Sequence, residues 1–301
     1  MIDRADVLAA QSRIAGRVRS TPVLRTAEAV FKLEYLQLGG TFKIRGSLNT
    51  MLSQPELPAE VVIASGGNAA IAAAHAARIV GARCTVVVPE TAPAAKVAVL
   101  HRLAAEVIRH GERYQHAFDY ASAIAVQRSA LQLHAYDLPG IVAGAGTVAL
   151  EIDREVDAAG PVLVAVGGGG LVSGIAAGTG RQVVGVEPQG IPTLHAALAA
   201  GAPVDVDVDS VAADSLGATR LGSIAWDVVR ARDVGSVLVA DDAIVAARSY
   251  LWREYRILVE LGAAVALAAL RTGAYVPPAG QTPVIVLCGA NTDPTSVASG
   301  A

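Results

Sequence analysis

Cysteine is almost missing from this chain. Cys84 and Cys288 are the only two in 301 residues. They make no disulfide framework and no zinc-ligand spacing, which fits a reducing cytosol. Charge is thin as well, at 17% with a formal net charge of −3. No basic patch argues for nucleic acid, and no charge block argues for a disordered tail. Aromatics are 4%, so the 53% hydrophobic content rests on small aliphatics, Ala and Val above all, suited to close helix–sheet contacts. The longest apolar runs, such as Ala263–Leu270 after Glu260, fall short of a membrane span. The opening Met1-Ile2-Asp3-Arg4-Ala5-Asp6 lacks a signal-peptide core. There is no internal repeat and no low-complexity linker. Lysine is scarcest among the charged residues, at Lys32, Lys43 and Lys96 only.

What is present is alternation. Strands are predicted at Val61–Ala64, Thr85–Val88, Val107–Ile108, Val162–Val166, Val183–Val186, Val237–Val239 and Val284–Leu287. Helices are predicted at Ala69–Val80 with Asn68 as its cap, Ala94–Leu103 after Pro93, His116–Gln127, and from Val172, Asp241 and Leu258. Leu33-Glu34-Tyr35 has a strand-like pattern. Strand and helix in alternation predict an α/β protein with parallel-type sheets flanked by helices. The length suffices for one large domain or two small ones.

Four short strings interrupt this apolar background: Gly40-Thr41-Phe42-Lys43-Ile44-Arg45-Gly46, Ser65-Gly66-Gly67-Asn68, Gly167-Gly168-Gly169-Gly170-Leu171, and Cys288-Gly289-Ala290-Asn291. The first offers an amine behind two glycines that let backbone approach closely. The third lies between a strand and a helix start, where successive unhindered N–H groups form a nest for a phosphate. A dinucleotide-binding G-x-G-x-x-G is not met, because its third glycine falls on Val172 or Ser173. Glu187, twenty residues after Gly167, is the one feature favouring that rival oxidoreductase. Asp205-Val206-Asp207-Val208-Asp209 opens like a calcium loop but has Leu216 at the closing position.

In order and chemistry the four strings resemble those of the fold type II pyridoxal-phosphate enzymes, in the serine/threonine dehydratase group. The resemblance spans nearly the whole chain. It implies a tryptophan-synthase-beta-like fold, with a large domain from residues 1–47 and 138–301 and a smaller inserted domain from 48–137. Lys43 would bind pyridoxal 5'-phosphate and later take the substrate α-proton, with Phe42 on one ring face and the Asp214-Ser215-Leu216 loop on the other. Gly167, Gly168, Gly169, Gly170 and Leu171 would cradle the phosphate. Asn68 would meet the phenolic oxygen and Cys288 the ring nitrogen, where many relatives have serine. Ser65, Gly66 and Asn68 would hold the substrate carboxylate, with Ser65 also catalytic.

The family's racemases carry a second serine where this chain has Gly66, which favours dehydration. The metal-binding pattern needs an aspartate six residues after Glu187, but Thr193 is there, so no metal is expected. The implied activity is β-elimination of water from L-threonine or L-serine, releasing ammonia and a 2-oxo acid. Serine racemase, 3-hydroxyaspartate dehydratase and a hydroxyectoine-pathway dehydratase are the alternatives. A cytoplasmic homodimer acting on a free amino acid, with no nucleic-acid or membrane partner, completes the expectation.

Overall fold

The computed structural model describes residues 1–92, 94–157 and 160–298. Pro93, expected ahead of a helix, and Ala301, at the end of the expected large domain, lie outside the described residues. The strands are β1 Val23–Arg25, β2 Val30–Lys32, β3 Glu60–Ala64, β4 Arg83–Val88, β5 Glu106–Arg109, β6 Leu131–Leu133, β7 Val162–Ala165, β8 Val183–Pro188, β9 Gly235–Val239 and β10 Val284–Val286. The helices are α1 Arg4–Ile14, α2 Ile44–Leu52, α3 Asn68–Val80, α4 Ala94–Arg102, α5 Tyr114–Gln127, α6 Pro139–Glu155, α7 Gly170–Gly178, α8 Thr193–Ala200, α9 Ala213–Leu216, α10 Ser223–Ala231, α11 Asp241–Tyr255, α12 Leu261–Thr272 and α13 Thr295–Ala298.

Two sheets result. One runs β1-β2-β10-β7-β8-β9 and the other β5-β4-β3-β6. All pairings are parallel except the β1–β2 hairpin. Parallel sheets need cover on both faces, and the sequence supplies it: β3 and β7 are buried at every position. Along β3 the two-residue period splits the core. Val61 and Ile63 face the α3 side, while Val62 and Ala64 face Ala117, Ala121 and Ile124 of α5. No helix among the described residues is long and apolar enough to cross a membrane.

Three local expectations need correction. Leu33-Glu34-Tyr35 is not strand; β2 ends at Lys32 and Glu34–Leu36 is a 3₁₀ turn. Helix α3 is capped by Gly67, and Asn68 is its first residue with its amide directed elsewhere. The helix expected from Leu258 starts at Leu261, with Glu260 as its N-cap residue. Helices α2 and α6 had no forecast. Residues 141–152 of α6 are buried without interruption, so it has no polar stripe to reveal a helical period. Its glycines exist for proximity: a Cβ on Gly144 would lie 2.5 Å from the Arg45 carbonyl oxygen of α2.

The fold sets the site by one rule. In parallel α/β sheets the loops beyond the carboxyl ends of the strands gather on one edge, where ligands bind. Three strings directly follow β3, β7 and β10, and the lysine string follows β2 after two 3₁₀ turns.

Candidate active site

Lys43 is placed by a backbone splice. Thr41 bridges Gly289 antiparallel, the Phe42 N–H donates to the Cys288 carbonyl at 3.2 Å, and the Ala290 N–H donates to the Gly40 carbonyl at 2.9 Å. The loop before α2 is thereby stitched to the loop after β10, so amine and thiol share a wall. Burial pulls the Lys43 pKa below the usual lysine range, while Glu260 and Cys288 partly restore it. A more neutral amine is a better nucleophile and base. Among the described residues the amine makes no hydrogen bond; it is held by packing and by field. Burial, then the charge of Glu260, pushes the buried Cys288 thiol up, which keeps it neutral at pH 7.

Asn68 is fixed from both ends. Its Nδ2 donates to Glu260 Oε1 at 2.7 Å and Oε2 at 2.9 Å. Its Oδ1 accepts from Asn291 Nδ2 at 2.7 Å, and Asn291 also donates to the Gly39 carbonyl at 2.9 Å. Burial lifts the Glu260 carboxyl to about 7 against the opposing pull of Asn68 and Lys43. Gly289 leaves room for it, since a Cβ there would stand 2.4 Å from Glu260 Oε1. Ser65 lies at the same helix start; its Oγ accepts the Gly67 N–H at 3.3 Å, forming a tight turn into α3.

The glycine run turns from β7 into α7 with Gly169 at φ +90°, a conformation open to glycine at little cost. Ser173 Oγ and Thr193 Oγ1 hold the carbonyls of Gly169 and Gly167, and the Gly222 N–H holds that of Gly168. The carbonyls are thus occupied, while the N–H groups of Gly168, Gly169, Gly170 and Leu171 find no acceptor among the described residues. Oriented N–H groups at a helix start suit a dianion. Tyr136 lies flat on this loop: a Cβ on Gly168 would be 2.4 Å from its ring. His134 meets Tyr136 edge-on at 4.6 Å, and Asp137 accepts from the Ser223 and Ile224 N–H groups at the start of α10. A cavity of about 260 Å³ opens here, bounded by His134, Tyr136, Asp137, Arg220, Leu221 and Ser223.

Behind the lysine string stands a buried ionic cluster. Arg45 Nη1 donates to Glu151 at 2.7 Å and to Thr147 at 3.2 Å, and its other nitrogens grip Glu34. Lys32, fully buried, pairs with Glu151 at 2.7 Å and Glu155 at 2.9 Å. Lys32 is therefore structural.

The structure brings Phe42, Lys43, Asn68 and Cys288 to one wall and the glycine loop to another, with Ser65 and Gly66 at the start of α3. Sequence reasoning assigned no role to Asn291, Tyr136, His134 or Arg45, and left Glu260 without one. Asn291 sat in a quoted string and Arg45 two residues from Lys43, so adjacency was the available signal. Glu187 is a capping residue: its buried carboxylate accepts from Thr193 Oγ1 at 3.0 Å, Leu194 N at 2.7 Å and His195 N at 2.9 Å. No group of His, Cys, Asp and Glu able to hold a metal occurs among the described residues.

A partly neutralised amine beside a neutral thiol, with unpaired N–H groups at a glycine turn beyond the end of a neighbouring strand, fits a phosphorylated aromatic aldehyde bound through lysine. The fold and site define an enzyme of cofactor-assisted amino-acid chemistry. The family model described as pyridoxal-phosphate dependent enzyme matches residues 14–289, and the chain belongs to that family. Its cofactor is pyridoxal phosphate. An L-threonine ammonia-lyase of Geobacter sulfurreducens is 36% identical, over 94% of this chain and 74% of that protein. A phenylserine dehydratase of Ralstonia pickettii is 33% identical, over 98% of this chain and 95% of that protein. Among solved structures, a threonine deaminase of T.th. superposes with TM-score 0.90 at 32% identity, covering 97% of this chain and 99% of that one. Maize serine racemase superposes with TM-score 0.91 at 28% identity, covering 99% and 96%.

Proposed function

We propose that the protein is an ammonia-lyase that converts L-threonine or L-serine to a 2-oxo acid and ammonia. The carrying observation is the Lys43 amine, desolvated and splinted against the neutral Cys288 thiol. Bound pyridoxal phosphate supplies the electron sink that makes the α-proton acidic and lets the β-hydroxyl leave. Lys43 Nζ holds the cofactor and then takes the α-proton. A thiol at Cys288 in place of a carboxylate leaves the ring nitrogen without a fixed counter-charge. The sink is then weaker, which suits prompt loss of the β-substituent over transamination.

The cradle from Gly167 to Leu171 would receive the phosphate, and Phe42 would pack against the cofactor. Asn68 donates to the ring oxygen, while Ser65, Gly66 and the N–H groups of the α3 start orient the substrate carboxylate. Racemisation requires a proton donor opposite Lys43, and Gly66 provides none. The two separate sheets support a division into 1–47 with 138–301 and 48–137. A homodimer working in the cytoplasm belongs to the same proposal.

The test is absorbance of the purified holoprotein together with 2-oxo acid assays on both amino acids. A band near the visible edge that shifts with substrate, with product formed, is expected. The Lys43→Ala protein should lose both. Lyase activity surviving in Lys43→Ala overturns the assignment.

A further inference from the structure

We infer that Glu260 is the positioning residue of this site, turning the Asn68 amide toward the cofactor and supplying the carboxylate that favours a proton on the Lys43 nitrogen against burial. The inference rests on the reading of Lys43 as the cofactor lysine. It deepens that reading by assigning a carboxylate to which sequence reasoning gave no role.

The geometry carries it. An amide can present either its N–H edge or its oxygen, and only the N–H edge serves a ring oxygen. Here the choice is made by two neighbours. Asn291 donates to Asn68 Oδ1 at 2.7 Å, and its other acceptor, the Gly39 carbonyl, leaves Asn291 no reason to turn. Glu260 takes the opposite edge with both oxygens, at 2.7 and 2.9 Å from Nδ2. One Asn68 hydrogen can be shared between those oxygens, which leaves the second directed into the site. Glu260 is itself locked: its N–H donates to the Gly289 carbonyl at 3.1 Å, and its carboxylate fills the space where a Gly289 Cβ would be.

Charge supplies the second half. The titratable groups facing Glu260 are Lys43 ahead of α2, Cys288 after β10, and Asp214 in α9. Cys288 is neutral at working pH and Asp214 is of like sign. Lys43 is therefore the one cation Glu260 addresses among these groups, and Glu260 is the first source opposing desolvation at Lys43. A close opposite charge shifts an ionisable group by about one to three pH units. Burial raises the Glu260 carboxyl to about 7, against the pull of Asn68 and Lys43.

The experiment is a pH titration of the visible absorbance of the holoenzyme, wild type beside Glu260→Gln, with cofactor affinity measured for each. Gln keeps the acceptor for Asn68 and removes the charge. The expected result is a midpoint lower by about one unit in Glu260→Gln. A merely structural role would lower stability and leave the midpoint in place. Asn68→Ala is the companion variant, should Glu260→Gln fail to fold. It keeps the Glu260 side chain and removes the amide that Glu260 orients, so cofactor affinity should drop. An unchanged midpoint in Glu260→Gln, or wild-type cofactor affinity in Asn68→Ala, overturns the inference. No visible band in the wild type overturns the reading of Lys43 itself, and this inference with it.

Discussion

Arg45 and Glu34 form a two-pronged pair in a fully buried setting: Nε to Oε2 at 2.8 Å and Nη2 to Oε1 at 2.7 Å. Arginine's fork matches a carboxylate in this way, and a lysine ammonium does not. The pair sits two residues beyond Lys43 and anchors the start of α2 to the turn after β2.

Arg45→Ala should therefore destabilise the protein by about 3–5 kcal/mol, because Glu34 and Glu151 would stay buried without their guanidinium. Arg45→Lys should recover less than half. Urea denaturation followed by circular dichroism measures both. A loss under about 1 kcal/mol for Arg45→Ala would show that the cluster is dispensable.

The cradle should tolerate no side chain at its turn. Gly169 has φ +90°, and a Cβ there would stand 2.6 Å from Leu221 Cδ1 and 2.7 Å from the Ala225 Cβ. Gly169→Ala is expected to cost about 1–3 kcal/mol in stability and at least about tenfold in pyridoxal-phosphate affinity. Fluorescence titration of the apoprotein reads the affinity. Wild-type affinity in this variant would remove the loop from the phosphate site.

Glu187 should write a slope into the stability profile. Burial raises its carboxyl from 4.5 to about 7, against the pull of its three donors. The folded state thus holds the proton more tightly than the unfolded chain. The contribution is fully present below about pH 4.5 and is lost as pH rises through about 7. Relative to Glu187→Gln, wild-type unfolding free energy should decline by up to about 3 kcal/mol across that window. Parallel profiles for the two proteins would contradict this.

Ser65→Ala should lower kcat/KM by about 10–100-fold, mainly through KM, while the cofactor band stays intact. The hydroxyl orders the α3 start through the Gly67 N–H and stands where a substrate carboxylate would be received. An unaltered KM would move the carboxylate elsewhere.

Gly66 has room for the hydroxyl it lacks, since a Cβ there meets only Val88 Cγ1, at 3.7 Å. Gly66→Ser should fold normally and bring measurable interconversion of L- and D-serine, seen by chiral chromatography. Its absence in a folded, cofactor-loaded variant would show that one serine at this position is not enough.

Much of this site was legible because its loops are written locally. A glycine run between a strand and a helix, or a lysine behind two glycines, declares itself within six residues. The same locality explains the misses. Asn68 looked like a cap because capping is what asparagine does before a helix, and only the fold brings Glu260 and Asn291 to its amide. Helix α6 hid because a helix buried all round carries no amphipathic signal, and its glycines, needed for contact with α2, argue locally against helix. Arg45 and Lys32 carry no local sign of burial, because Glu151 and Glu155, which pair with them, come from a distant segment.

One pairing of the larger sheet joins a strand near residue 30 to one near residue 284, as Val30 meets Val284 and Lys32 meets Val286. On the ribosome the first of these waits until the segment near residue 284 has been made, its apolar edge open to wrong partners. The same late docking stitches Phe42 to Cys288 and so brings amine and thiol together. On the reading of Lys43 as the cofactor lysine, capture of the cofactor is thus reserved for chains in which this distant docking has occurred, and the colour of the bound cofactor becomes a readout of that assembly.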